Sequence, residues 1–433
     1  MKKWCNRVVA IVMLTVFSIT ALAENSLHYT VLDADEYKLI VNHSRSKVQQ
    51  LLKTLQAHSG QNINAQIAFI SQQLLDIPYI HTNGMGEGDW QPRSSVYKPG
   101  GLHVKQNPVY RLDALNCQTF VQITMALLHA NTLAQFDNNI VKIAYGAAGN
   151  PNGDIIRYYN RNNFTDADFN PINQRNGWLT DATSQSVLAP YTKSTSAIIT
   201  RQKWFLYQQQ NRAETVQVLA KISGPAMVQR FMTTYAALRF PHFDSEQISI
   251  RYIPKEFLAI KQFNRGFQPN QALLDKIPTP AIAEIVRDVK KWNINGIKIK
   301  DIIGSELTVS HLGFLYRQSY HYGDIIYRKI SCAYAHQLQK ICHVTSITCK
   351  KNQCNELMFS HATDAYPIGY FWYQKSNGNY VCLPNRPSRG VRYTYCNRVV
   401  QTPFFDYLID YQLGLYWNMD VPSVLGVHIE TLN

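Results

Sequence analysis

Cysteine placement constrains this chain more than any other feature. Of the eight cysteines, six (Cys332, Cys342, Cys349, Cys354, Cys382 and Cys396) crowd into the last quarter, enough for three bridges. Cys5 lies in a segment that reads as a removable leader, which leaves Cys117 as the odd one. Six cysteines allow 15 connectivities, and sequence does not choose among them. Disulfides persist in oxidising compartments, so the cluster points to export. Its spacings lack Cys-x-x-Cys pairs, so bridges pinning an extended insertion are a better reading than a zinc site built with His336 or His343. No metal and no cofactor is called for.

The N-terminus agrees with export. Lys2, Lys3 and Arg7 precede an apolar run from Val8 to Ile19, and Ala21-Leu22-Ala23 offers a small-x-small cleavage site. Residues 1–23 are expected to be a signal peptide and the mature chain to begin near Glu24. No cysteine stands at the cleavage point to carry a lipid. No later stretch is apolar enough over about 20 residues to span a membrane. Periplasm and extracellular medium share this leader and are not distinguished. Formal charge is +14, and removing the three leader cations leaves +11. That balance attracts polyanions such as an acidic wall polymer. No Lys/Arg-rich run or nucleic-acid motif accompanies it, so nucleic acid is not an expected partner.

Periodicity divides the chain into helices first and strands later, an α+β order. Helical spacing is seen at Val48, Leu51, Leu52 and Leu55, over Ile63–Leu75, and from Asn116 to Leu133. Residues 82–108 read as a loop or lid, Ile140–Tyr145 as a strand, and 146–183 as loop-rich. Residues 184–240 are expected to be a helical insertion, and about 317–357 a disulfide-rich one. Strands are predicted at Ile248–Ile253, Leu307–Tyr316, Leu357–His361 and Val424–Thr431. Phe257–Trp292 reads as mostly helical, and Phe404–Tyr416 as a helix. The expected organisation is a single enlarged domain over 24–433.

Cys117 falls at the start of a predicted helix, which Asp113 or Asn116 can cap. Unpaired N–H groups and the macrodipole there favour a thiolate. They also offer donors to an oxyanion. A thiol nucleophile needs a base and a group that orients the base. His311, in Ser310-His311-Leu312-Gly313, and His361, in Ser360-His361-Ala362, stand on candidate neighbouring strands that can hold two side chains about 5 Å apart. No His-Glu-x-x-His segment and no Gly-x-Ser-x-Gly elbow is present.

These residues resemble papain-like cysteine hydrolases of the NlpC class, which cleave cell-wall peptides and amides. Asn-Cys-x-x-Phe-Val, Ser-His-x-Gly and His-Ala match in order at Cys117, His311 and His361. The narrower resemblance is to the N-acetylmuramoyl-L-alanine amidase-like branch. It rests on Asn160-Arg161-Asn162-Asn163-Phe164, on Gly177 with Asp181-Ala182-Thr183, and on Tyr252-Ile253-Pro254-Lys255. Asn163 stands where that branch prefers His, and Asn116 where many NlpC-class enzymes carry Asp. The resemblance implies a papain-like core, with a helix-borne Cys packed on an antiparallel sheet. It implies Cys117 as nucleophile, His311 as base and His361 as orienting group. Tyr79, Arg161, Asn163 and Asp181 are candidate substrate-binding residues, with loop bracing the alternative for Arg161 and Asp181. The implied partner is peptidoglycan or a muropeptide, cut at the N-acetylmuramoyl-L-alanine amide, with a stem-peptide bond as alternative. Other readings are an inactive binding module for wall fragments and a secreted effector acting on another amide.

Overall fold

Amphipathic spacing builds the helical layer. Val48, Leu51, Leu52 and Leu55 are buried along one side of α1 (Ala34–Ala57). In α2 (Ile63–Gln73) the Asn62 side chain caps the Ala65 N–H, and Ile67 and Ile70 are buried. Reciprocal capping boxes open α3 (Cys117–Leu128), through Asn116 and Thr119, and α4 (Leu133–Ala144), through Thr132 and Gln135. A single π turn, Thr165–Phe169, leads into α5 (Asn170–Arg175). The computed structural model describes residues 34–57, 60, 62–75, 77, 79, 110–145, 161–205, 242–262, 266–294, 296–323, 325–335, 339–350, 353–363, 371–374, 380–383, 393–395, 398–409 and 423–433, with the backbone alone for 34–40, 261, 262, 266, 294, 302, 325–335, 339–348, 353, 354, 371–374, 380–383, 393–395, 398, 406 and 409. The expected leader, the 82–108 loop and most of the 184–240 insertion lie outside them. No helix among the described residues is long and apolar enough to cross a membrane.

Among the described residues, seventeen strands follow or interleave with these helices. In chain order they begin with β1 (Leu179–Asp181), β2 (Lys193–Ile199), β3 (Glu246–Pro254), β4 (Ala259–Gln262), β5 (Gly266–Pro269) and β6 (Ala281–Arg287). Next come β7 (Asn293–Ile294), β8 (Ile297–Lys298), β9 (Val309–His321), β10 (Ile325–Ala335), β11 (Gln339–Thr348) and β12 (Gln353–Thr363). The last are β13 (Phe371–Gln374), β14 (Tyr380–Leu383), β15 (Tyr393–Tyr395), β16 (Arg398–Pro403) and β17 (Val424–Leu432), with α6 (Phe404–Ile409) between the final two. The main sheet has eight strands in the order β16-β12-β9-β6-β17-β3-β2, with β1 on β17, and its ladders are antiparallel. A second sheet runs β10-β11-β14-β13-β15. There Cys332 stands opposite Cys342 in the β10–β11 register.

Two expectations differ from this arrangement. Ile140–Tyr145 is the end of a helix: Phe136, Ile140, Ile143 and Ala144 are buried at helical spacing in the frame set by the Thr132 cap. Phe257–Trp292 holds β4, β5 and β6 with two short helices, Lys255–Leu258 and Gln271–Leu274, rather than a mostly helical run. Every residue of β6 is buried on both faces, Glu284 and Arg287 included, so its sequence lacks the apolar–polar alternation that marks a half-buried strand. The described start of the 184–240 insertion holds β2, and 317–357 continues β9 and supplies β10, β11 and the start of β12.

Strand alternation gives the main sheet two covered faces. Ile282, Leu312, Phe314, Tyr316, Met358 and Ala362 pack with α1–α4, and Phe120 meets Phe314 edge-on at 6.1 Å between centroids. The opposite face carries Ala283, Ile285, Leu315, Leu357 and Phe359 against Phe404, Tyr407 and Leu408 of α6. Each fully buried aromatic or leucine in these layers stabilises the fold by roughly 1.5–3 kcal/mol.

Candidate active site

Cys117 is the first residue of α3. Asn116 Oδ1 accepts from the Thr119 N–H at 2.8 Å, and Thr119 Oγ1 accepts from the Asn116 N–H at 2.9 Å. This box fixes the helix start one residue before the thiol and leaves first-turn N–H groups outside the helical ladder. Cys117 is half-buried against the helix-side core and is not in a disulfide. Beneath it, the fully buried Arg111 donates from Nε to Asp113 Oδ1 at 2.7 Å, so Asp113 serves as a structural partner.

The other candidates gather nearby in part. Tyr79 forms a parallel bridge with Leu115. The Val399 N–H donates to the Ile77 carbonyl at 3.0 Å, and Val399 pairs with Ala362. These contacts tie the α3 N-terminus to the Ala362 end of β12. Gln118, next to the thiol, donates from Nε2 to the Asn162 carbonyl. Asn162 is itself locked by Nδ2 to the Ile143 carbonyl at 2.8 Å, and Asn163 beside it is half-buried. Arg161 bridges to Tyr145 and is buried, and loss of solvation lowers its guanidinium to about 9.

The two histidines come together as the alternation predicts. His311 Nε2 lies 2.8 Å from His361 Nδ1, with the rings edge-to-face at 4.8 Å. Phe359 stacks on His361 at 4.5 Å, and Tyr407 stacks on His311 at 6.1 Å. Burial lowers His361 to about 3. Burial, then the His361 and Arg287 charges, hold His311 well below the ordinary imidazole range. Both rings are therefore neutral.

Their face is the unexpected part. Leu312 and Ala362 turn toward the helical layer that holds Cys117, whereas His311 and His361 turn toward Tyr407 of α6. Cys117 itself packs at the border of the helix-side core.

A second polar group escaped the sequence reading. His428, Glu430 and Asp181 place one ligand atom each within 4.8 Å of one another. Glu284 stands opposite His428 in the β6–β17 register. Burial opposes a charged His428, but the Glu430 hydrogen bond and the Glu284, Glu430 and Asp181 charges raise it to about 9. Asp181 also accepts from the Ser184 N–H at 3.0 Å, which braces the turn after β1. The signal lay in Val427-His428-Ile429-Glu430, where polar and apolar residues alternate on a buried strand.

Helices followed by an antiparallel sheet define an α+β protein. Residues 94–347 match the AmiA-like family, N-acetylmuramoyl-L-alanine amidase-like, and the chain belongs to that family. Membership gives it an amidase-like function on peptidoglycan at the level of the family. Among solved structures, protein LPG0564 of Legionella pneumophila is similar over 91% of this chain and 96% of its own, at 22% identity and a TM-score of 0.52, and it shares the fold. An N-acetylmuramoyl-L-alanine amidase of Bacteroides uniformis aligns over 86% of this chain and 98% of its own, at 16% identity and a TM-score of 0.37. No curated protein matches the chain.

Proposed function

We propose that the chain is an exported cysteine amidase that hydrolyses the bond between N-acetylmuramic acid and L-alanine in peptidoglycan. The observation that carries this reading is the seat of Cys117, first in α3 behind a complete Asn116 capping box and half-exposed. The Cys117 thiolate attacks the lactyl carbonyl, and the N–H groups of the first turn receive the oxyanion. His311 takes the thiol proton and returns it to the leaving amine. His361 holds the imidazole tautomer, and water then releases the acyl group. A register shift in the β6–β9 ladder adjoins His311. Tyr79 and Asn163 contact the substrate, while Arg161 and Asp181 brace the loops around it. The clustered cysteines form bridges suited to an oxidising compartment, periplasmic or extracellular.

A second reading, a binding module that holds wall fragments without cutting them, draws on one observation: the histidine pair is buried under α6. Mass spectrometry of muropeptides treated with wild type, Cys117→Ala and His311→Ala separates the two. Free stem peptides beginning with L-Ala, absent with both variants, support the triad. Loss with Cys117→Ala but retention with His311→Ala keeps the nucleophile and rejects the base. Cuts inside the stem keep the mechanism and change the bond. No product from wild type favours the binding module.

A further inference from the structure

We propose that Asp181, His428 and Glu430, backed by Glu284, form a binding site for one divalent cation of the zinc class. The site lies where β1 and β6 flank β17, and its metal-binding test does not depend on the amidase reading.

The first support is geometric. His428 Nε2 is 2.9 Å from Glu430 Oε1 and 3.9 Å from Asp181 Oδ1. Oxygen and nitrogen ligands sit at roughly 2.0–2.2 Å from zinc, so ligand atoms already within 4.8 Å of one another need to close by only about an ångström.

The second is orientation. His428 Nδ1 is 2.8 Å from the Arg251 carbonyl, which can only accept, so Nδ1 carries the hydrogen and Nε2 points at the carboxylates. A metal-binding histidine is normally held this way by its other ring nitrogen. The carboxylates are held too: Gln174 Nε2 donates to Glu430 Oε1 at 2.6 Å and Asn170 Nδ2 to Glu284 Oε2 at 3.0 Å.

The third observation points to a ligand in its own right. Glu430 Oε2 and Glu284 Oε1 have no hydrogen-bond partner, and both residues are fully buried. Glu284 projects from the same sheet face as His428, its register partner, with Glu430 two residues further along β17. Unpaired buried polar oxygens are costly, and the contacts His428 makes are with Glu430 Oε1 and Asp181 Oδ1, leaving Glu430 Oε2 and Glu284 Oε1 unmatched. Among the described residues, no Lys or Arg forms an ion pair with Asp181, Glu284 or Glu430. A dication supplies the missing charge, and an imidazole in the set favours zinc-class metals over calcium or magnesium. The Asp181 side chain, 30% exposed, opens the site to solvent.

The test uses the full-length mature protein, stripped with chelator, dialysed and titrated with zinc(II) by calorimetry, with elemental analysis of the bound metal. Wild type should bind zinc at this site and unfold at a higher temperature with it. His428→Gln and Asp181→Asn should each weaken that binding by roughly tenfold or more and lose the thermal shift. Asp181→Asn, at the solvent-facing mouth, keeps the test valid if His428→Gln fails to fold. Failure of wild type to bind zinc, or binding by folded Asp181→Asn as tight as wild type, would overturn the proposal.

Discussion

His311 and His361 share one short hydrogen bond, 2.8 Å from Nε2 to Nδ1, inside an aromatic box formed by Phe359 and Tyr407. That relationship makes the fold acid-labile. Both folded-state values are depressed, with His361 at about 3. An unfolded imidazole titrates near 6.5. Above that pH neither state binds the proton, and the pair's contribution is intact. Below it the unfolded chain binds protons that the native pair refuses, so stability falls until pH passes the folded value. The slope is about 1.4 kcal/mol per pH unit for each histidine over that window. Urea unfolding between pH 4 and 8 should show this loss in wild type and a shallower one in the double variant His311→Phe, His361→Leu. Equal slopes would mean that the rings are not neutral in the native state.

The Asn116 cap links fold to reactivity. Asn116→Ala removes an acceptor for the Thr119 N–H and should cost about 1 kcal/mol. If this cap holds the first turn that bears Cys117, alkylation of the thiol by iodoacetamide at pH 7 should also slow. Asn116→Asp keeps the acceptor and adds a negative charge at the helix start, so its stability should stay close to wild type. A drop in alkylation with no drop in stability would detach the cap from the helix.

Much of this arrangement was legible in the residues. The helix start at Cys117 follows from Asn116 and the apolar spacing of Phe120, Val121 and Leu127, and β9 and β12 follow from alternation around His311 and His361. Alternation divides a strand into two faces, but it does not say which face a distant helix will cover; for that reason the packing of Tyr407 on the histidine pair is not visible in the sequence. β6 was read as helix because burial on both sides erases its period of two. Asp181, Glu284 and His428 went unlinked because β1, β6 and β17 meet only through tertiary pairing.

Phe120 tests the joint between the helical layer and the sheet. It is fully buried one turn after Cys117 and meets Phe314 edge-on. Phe120→Ala leaves a cavity there and should cost about 3–5 kcal/mol, read by thermal or denaturant unfolding. Phe120→Leu fills most of the space and should lose much less. A cost below about 1 kcal/mol for the alanine variant would show that α3 does not anchor on β9.

Gly313 sits between the two histidines of the pair, and its hydrogen is a packing requirement. A Cβ at this position would lie 2.5 Å from the Ser360 carbonyl oxygen, 2.7 Å from His361 Cβ and 2.8 Å from Phe359 Cε2. The first of these is the backbone of the neighbouring strand, which cannot rotate away, so β12 must move. Gly313→Ala should therefore cost about 1–3 kcal/mol and loosen the His311–His361 bond. Gly60→Ala is the matched control, because a Cβ there meets nothing within 4 Å. If the triad operates, muropeptide hydrolysis by Gly313→Ala should fall by more than the folded fraction does, since His361 moves with β12. If activity tracks the folded fraction alone, as it should for Gly60→Ala, the pair serves packing and the base for Cys117 lies elsewhere.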